Sequence, residues 1–162
     1  MKYLITGGSG FIGSALIKTL IKYKQNQILN IDNLTYAHNK YALDSIKDKH
    51  NYMFLKANIG DQKKIKNVIS QFKPNIIFNL AAESHVDRSI VNSKKFIQTN
   101  IIGTFNLLEL SNQYFQTMSK NNRSKFKFIQ ISTDEVFGSL KKGSRSFSEN
   151  STFLPNSPYA AQ

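Results

Sequence analysis

An open parallel α/β sheet, doubly wound by helices on its two faces, is predicted by three features of this 162-residue sequence. Short apolar runs recur along the chain, each closed by a polar or turn residue. The segments between several of them carry apolar residues at helical spacing. The first run passes directly into a glycine-rich turn, Thr6-Gly7-Gly8-Ser9-Gly10-Phe11-Ile12-Gly13. Apolar runs that do not alternate belong to strands buried on both faces, as parallel strands are. Their alternation with helices makes a parallel sheet the expected architecture. The length allows one domain at most, with enough chain for a real core.

Taken in order, Tyr3-Leu4-Ile5 is the first strand. After the glycines, Ile12, Ala15, Leu16, Thr19, Leu20 and Tyr23 share one face of the first helix. Gln27-Ile28-Leu29-Asn30-Ile31 is the second strand and ends at Asp32. Asn33 to Asp48 reads as a loop with a short helix around Tyr41–Ile46, and Tyr52-Met53-Phe54-Leu55 as the third strand. Asp61 caps a helix whose Ile65, Val68, Ile69 and Phe72 share a face. Lys73-Pro74-Asn75 breaks it, and Ile76-Ile77-Phe78-Asn79-Leu80 is the fourth strand. A long helix is expected from about Ser93 to Ser119, carrying Ile97, Ile101, Phe105 and Leu108 on one stripe. A turn at Asn121 to Ser124 leads to the fifth strand, Phe126 to Ile131, and Gly143 to Pro158 is a loop.

Strand, glycine turn and helix form the context in which a glycine pattern points to a dinucleotide. One glycine permits a sharp turn, one lets backbone approach a pyrophosphate, and one lets helix and strand pack closely. The helix N-terminus then offers free N–H groups and partial positive charge to phosphates. Two registers fit: Gly8/Gly10/Gly13, and Gly7/Gly10/Gly13. Asp32 follows about 20 residues after the glycines, where a carboxylate accepts from ribose hydroxyls and repels the 2′-phosphate of NADP. NAD is therefore the expected cofactor; a turn cap is the other reading of Asp32. Ligands of such sheets sit beyond the carboxyl ends of the strands, which here are Thr6-Gly7, Asp32-Asn33, Asn58-Ile59, Leu80-Ala81-Ala82 and Ser132-Thr133-Asp134-Glu135. That last stretch sets a hydroxyl and two carboxyls side by side, expected to face the cofactor crevice. Paired carboxyls can divide the work of base and acid that an elimination requires. A helix N-terminus or plain loop charges remain the alternative for them.

Composition closes off other chemistries. Without cysteine there are no disulfides, thiolate metal sites or thiol nucleophiles, and a reducing cytoplasm is the expected compartment. Met1-Lys2 leads straight into the first strand, leaving no room for a signal peptide, and no apolar run is long enough to span a membrane. The net charge of +12 raises nucleic acid as a partner. The lysines are scattered, however, with no arginine cluster, so a solvated surface is the expectation. His38, His50 and His85 lie too far apart in sequence to suggest a metal site.

The glycine turn, Asp32-Asn33-Leu34-Thr35-Tyr36-Ala37, Ala81-Ala82-Glu83-Ser84-His85-Val86-Asp87-Arg88-Ser89, Thr99-Asn100 and Ser132-Thr133-Asp134-Glu135-Val136-Phe137-Gly138 together resemble the dTDP-glucose 4,6-dehydratases, which are extended short-chain dehydrogenase/reductases. The resemblance runs the length of the chain. Its glycine motif is common to the superfamily, whereas the Ala81–Ser89 and Ser132–Gly138 stretches are more specific to these dehydratases. It implies a Rossmann-type NAD-binding domain of a homodimeric lyase acting on a nucleotide sugar, on the route to rhamnose and other deoxysugars. C4 of the sugar would be oxidised on NAD⁺ with Tyr159 taking the hydroxyl proton and Thr133 binding the C4 oxygen. Glu135 would then remove the C5 proton while Asp134 protonates the departing C6 hydroxyl, and hydride would return to C6. By the same likeness Gly7, Gly10, Phe11, Ile12, Gly13, Asp32, Asn33, Leu34, Thr35, Asn58, Ile59, Leu80, Ala81, Ala82, Ser84, Thr99 and Tyr159 are cofactor contacts. Ser84, His85 and Thr133 would reach the substrate; for His85 a structural role at the strand exit is the alternative. Another nucleotide-sugar enzyme, an epimerase or decarboxylase, would use the same first half. A non-catalytic dinucleotide-binding module is the third reading.

Three departures from the family pattern bear on these expectations. Asn58 replaces the usual aspartate beside the adenine, and His38 stands where glycine is common, which bears on the shape of the Tyr36-Ala37 loop. The Tyr-x-x-x-Lys motif of the superfamily begins at Tyr159, and its lysine would follow Gln162. On a helix those two positions share a face, and a neighbouring ammonium would lower the tyrosine pKa. The chain therefore reads as an amino-terminal portion of such an enzyme, with the substrate-binding half missing. Alone it is expected to lack turnover and to be only marginally folded.

Overall fold

The computed structural model describes residues 1–161. Five parallel strands, β1 (Lys2–Thr6), β2 (Gln27–Asp32), β3 (Tyr52–Lys56), β4 (Ile76–Asn79) and β5 (Lys127–Gln130), lie in the order β3-β2-β1-β4-β5. The chain steps outward from β1 through β2 and β3, then returns to the other side of β1 for β4 and β5. This is the doubly wound, Rossmann-type arrangement that the sequence predicts. Its strand order reverses between β1 and β4, so the ligand crevice belongs above their carboxyl ends.

The sheet separates two apolar clusters. Leu4, Leu29, Ile31 and Ile77 meet Ile65, Ile69 and Phe72 of helix α2 (Gln62–Phe72) and Leu107 and Leu110 of helix α5 (Thr104–Gln116) on one face. Tyr3, Ile5 and Ile28 meet Ile17 and Ile21, together with Leu43 and Ile46, on the other. Side chains alternate across a strand, so a run such as Tyr3-Leu4-Ile5 feeds both clusters. Asp61 caps α2 as expected, its carboxylate accepting from the Lys64 N–H at 3.0 Å.

Several elements differ from their sequence readings. Helix α1 (Phe11–Leu20) buries Gly13, Ser14 and Ile17, with Ile21 just beyond it, whereas Ile12 and Tyr23 of the expected face are exposed. Close approach of α1 to the glycine turn rotates the small residues inward and leaves Leu16 and Leu20 at the margin. Around Tyr41–Ile46 the chain makes consecutive turns rather than a helix, linked by Ala42 N–H to Asn39, Asp44 N–H to Tyr41 and Ile46 N–H to Leu43. Leu43 and Ile46 are buried all the same, since side-chain burial needs no regular helix there. Helix α3 (Val86–Val91) was not foreseen, and the segment at Asn121–Ser124 contains a short helix, α6 (Lys120–Arg123), rather than only a turn.

The long helix runs as α4 (Ser93–Phe96), a π-helical segment Ile97–Gly103, and α5, ending at Gln116. Its stripe of Ile97, Ile101, Phe105 and Leu108 faces outward, at 44%, 42%, 62% and 49% exposure. The buried residues are instead Phe96, Gly103, Asn106, Leu107 and Leu110, of which Leu107 and Leu110 pack on the sheet. No helix among the described residues is long and apolar enough to cross a membrane.

Candidate dinucleotide site

A cavity of about 350 Å³ opens above the carboxyl ends of the strands. The glycine turn forms its floor. Gly7 has φ +68°, in the left-handed region, and its N–H donates to the Ile31 carbonyl at 2.9 Å. A Cβ there would sit 2.7 Å from the backbone of Leu80 and Ala81, so only glycine lets β1 and β4 close at this level. Gly13 meets the turn from the helix side. A Cβ on it would lie 2.3 Å from the Gly7 carbonyl oxygen.

The two glycine registers now separate. Gly7, Gly10 and Gly13 all line the cavity, while Gly8 is buried against Asn30, behind the turn. Gly10 caps α1 without a side-chain hydrogen bond, and the first helical turn holds no acidic residue. The free N–H groups and the positive end of the helix dipole thus face the cavity unopposed. Phe11 and Ile12 stand at its wall 90% and 61% exposed, apolar surface that a ligand would cover. A phosphate-bearing dinucleotide fits this donor set.

Asp32 lines the same cavity, at the end of β2. Its Oδ2 accepts from the Ser9 N–H at 2.9 Å and its Oδ1 from the Leu34 N–H at 2.7 Å. The turn-cap reading and the ribose reading are therefore compatible: each carboxylate oxygen keeps a lone pair for a ribose hydroxyl. Asn58 also lines the wall, its Oδ1 accepting from the Gly60 N–H at 2.8 Å. An aspartate would make the same bond, which explains why the amide is tolerated. His38 does not need glycine's conformational freedom. Among the described residues only Leu34 and Lys73 combine a side chain with positive φ, and the His38 N–H closes a turn onto the Thr35 carbonyl at 3.2 Å.

Asn33, Thr35, Ile59, Leu80, Ala81, Ala82, Ser84, Thr99 and Tyr159 complete the expected set on the wall, joined by Ile131 and Ser132. Leu34 is not on it. Its left-handed φ of 53° turns its N–H back to Asp32, and its side chain does not reach the cavity. His85 lies outside the wall as well, exposed at the cap position of α3.

Thr133, Asp134 and Glu135 continue from Ser132 but do not line the cavity. Thr133 caps a one-turn 3₁₀ helix, Asp134–Phe137, with its hydroxyl accepting from the Glu135 N–H at 3.3 Å. The two carboxyls form the first turn of that helix and project into solvent beside the rim, so they do not face the dinucleotide crevice as expected. Tyr159 does line the cavity, half-buried, its ring edge-on to Phe96 with the ring centres 6.5 Å apart. It belongs to a turn in which the Ala161 N–H reaches the Ser157 carbonyl at 3.1 Å.

Sequence reading missed the polar layer that holds this floor level. Thr6, Asn79 and Gln130 are in register across β1, β4 and β5. The Thr6 hydroxyl donates to the Asn79 side chain and accepts from the Ala81 N–H; Asn79 Nδ2 in turn reaches Gln130 at 2.7 Å and Thr104 at 3.2 Å. Behind the glycine turn, Asn30 Nδ2 donates to the Tyr52 hydroxyl at 3.0 Å. Burial pushes the Tyr52 pKa up; the Asn30 bond opposes that, and the charge of Asp32 adds to it. The sequence shows a polar residue within each of these strands but carries no signal that the three lie side by side.

The other wall hangs on Glu83, which is buried and paired with Lys95 at 3.1 Å. Asn100, within the π-helical segment, grips the Glu83 backbone from both sides: Oδ1 accepts from its N–H at 2.8 Å, and Nδ2 donates to its carbonyl at 2.9 Å. Thr99 thereby reaches the cavity. No cluster of potential metal ligands occurs among the described residues.

Comparison with known proteins bears on this geometry. A family model described as GDP-mannose 4,6 dehydratase matches residues 4–162. A dTDP-glucose 4,6-dehydratase of Haemophilus influenzae is 47% identical over 99% of this chain and 48% of its own length. Among solved structures, a dTDP-glucose 4,6-dehydratase from Bacillus anthracis in complex with NAD superposes with a TM-score of 0.83 at 40% identity, covering 99% of this chain and 46% of that one. The enzyme of that name from Streptomyces venezuelae, with NAD bound, gives 0.86 at 34% identity, covering 99% and 48%. The chain thus spans about half the length of the curated relatives it matches.

Proposed function

Since the chain belongs to the GDP-mannose 4,6 dehydratase family, we propose that it binds NAD⁺ and serves the dehydration of dTDP-glucose to dTDP-4-keto-6-deoxyglucose. One observation carries the proposal: the Gly7/Gly10/Gly13 turn, the uncapped α1 N-terminus and the Asp32 carboxylate share one cavity. The names of the relatives and the Asp134-Glu135 pair favour a glucose-derived substrate and a dehydration within that family.

When bound, NAD⁺ supplies the acceptor and later the donor of a hydride. The chain's residues do the rest. Gly7 and Gly10 let backbone approach the pyrophosphate, the α1 N–H groups hold its charge, and Asp32 accepts from the adenosine ribose. Tyr159 takes the proton of the sugar's C4 hydroxyl, and Thr133 holds the C4 oxygen. The resulting ketone acidifies C5; Glu135 removes that proton and Asp134 protonates the C6 hydroxyl as it leaves. Ser84, on the cavity wall, would reach both cofactor and sugar, and the exposed His85 would reach the sugar. The carboxyls now point to solvent beside the rim, the side from which a sugar would approach. The same reading assigns the exposed stripe Ile97, Ile101, Phe105 and Leu108 to a second copy of the protein, and it carries a cytoplasmic location with it.

The test begins with the cofactor. Calorimetry is expected to show NAD⁺ bound more tightly than NADP⁺, because Asp32 opposes the extra phosphate. Asp32→Ala should weaken NAD⁺ about tenfold or more, the scale of a hydrogen bond to a charged group, and narrow the gap between the two dinucleotides. Equal affinities in the unsubstituted protein would contradict the assignment. Incubation of a full-length enzyme carrying these residues with dTDP-glucose then asks for the 4-keto product, which this chain alone is expected not to form; an epimerised sugar with its C6 hydroxyl retained would point to the epimerase reading instead.

A further inference from the structure

The walls of the dinucleotide cavity rise from the ends of β2 and β4, the two strands that flank β1. Thr35 and Ala37 belong to one wall, Glu83 and Ser84 to the other. Tyr36, between the first two, does not face the cavity. It reaches across to the second wall, where the Arg88 guanidinium lies 3.9 Å from the centre of its ring and the Lys95 ammonium 5.6 Å. The contact thus joins the segment that follows β2 to the one that follows β4, the two segments whose neighbouring residues form the walls.

Both ends of this bridge are tied down. The Tyr36 loop is held by Leu34 N–H to Asp32 at 2.7 Å and by Asn39 N–H to the Ser9 carbonyl at 2.8 Å. The cations stand on a segment anchored by the buried Glu83, which pairs with Lys95 and is pinned through its backbone by Asn100. The middle is different. Tyr36 is 43% exposed, and a second cavity of about 380 Å³ lies beside it, bounded by Arg88, Val91, Lys95 and Phe96. A ring packed into a core could not let go; one clamped between cations and open space can.

We propose that Tyr36, stacked by Arg88 and Lys95, is a positioning residue: a releasable clasp that closes the mouth of the dinucleotide site and retains the cofactor. The inference rests on the cofactor reading given above. A cation over an aromatic face attracts the ring quadrupole, and the attraction is sensitive to the ring but not to the tyrosine hydroxyl. The clasp therefore acts on the rates of entry and exit, without touching the cofactor itself.

The test uses the purified protein with NAD⁺ as probe, measuring dissociation by trapping with excess competing dinucleotide and association by stopped flow. Tyr36→Ala and Arg88→Met should each raise the dissociation rate about three- to tenfold, the scale of a partly exposed cation–π contact, and should raise the association rate as well. Tyr36→Phe should leave both rates unchanged. The double variant Tyr36→Ala/Arg88→Met should be no faster than Tyr36→Ala, because loss of the ring already removes the contact that Arg88 makes. Unchanged rates in Arg88→Met, which keeps the ring and the length of the side chain, would overturn the clasp even if Tyr36→Ala failed to fold. So would equal loss in Tyr36→Phe, which would make the hydroxyl the important group. If the unsubstituted protein bound no NAD⁺, the cofactor reading itself would fall, and the clasp with it.

Discussion

Gly13→Ala is expected to abolish NAD⁺ binding and lower the unfolding midpoint by several degrees. The new Cβ would stand 2.3 Å from the Gly7 carbonyl oxygen and 2.7 Å from the Gly8 Cα. Both are backbone atoms, so no side chain can swing aside to relieve the clash. Overpacking of this kind costs about 1–3 kcal/mol, and each kcal/mol moves the midpoint of a domain this size by about 2–4 °C. The lost binding has the same cause. Relief requires α1 to back away from the turn, which carries its free N–H groups away from the phosphates. Thermal unfolding and calorimetry on the same preparation separate the two effects. A variant with unaltered affinity would mean that α1 is not seated against the turn as described.

In a full-length enzyme carrying these residues, Glu135→Gln is expected to leave C4 oxidation intact while stopping water loss, so that the reduced cofactor accumulates in place of product. An amide cannot accept the C5 proton, and loss of a positioned base costs about 10²–10⁴-fold in rate. Asp134→Asn should impair departure of the C6 hydroxyl yet still allow C5 exchange in deuterated water. The pair lies in the first turn of a 3₁₀ helix, exposed to solvent, so neither substitution should disturb folding, and a rate effect would report chemistry. Near-normal product formation by Glu135→Gln would remove that residue from its role and favour the reading of the pair as a plain helix start.

The sheet was legible because its evidence is local. Runs such as Ile28-Leu29 and Ile76-Ile77 have no alternation, and only strands buried on both faces read that way. Asp32 and the glycines were legible for a related reason, since their spacing reflects one strand-turn-helix unit. The rotation of α1 was not. Its expected apolar stripe is turned partly away, with Ile12 exposed and Leu16 at the margin of the core; Gly13 and Ser14 are buried instead, and beside Gly13 the turn has no room for a larger group. Nor was the outward stripe of the long helix, since hydrophobic spacing locates a face without saying what covers it. The Thr6-Asn79-Gln130 layer escaped because it exists only once three distant strands are in register. Tyr36 looked like one residue of a loop motif; its partner Arg88 lies more than fifty positions away in the chain.

The π-helical segment Ile97–Gly103 bears on how this chain tolerates insertion and deletion. A π turn holds more backbone than an α turn, in effect one residue spliced into an otherwise regular helix. Removing a single residue within it would restore ordinary α geometry and improve the local hydrogen-bond ladder. It would also turn everything upstream by about 100° relative to α5, swinging Thr99 off the cavity wall and Asn100 away from the Glu83 backbone. A shortened chain would thus own the better helix and the poorer site. Drift in length should be far easier at the exposed loop around Gly143, where an added Cβ meets no atom within 4 Å, than anywhere along this turn.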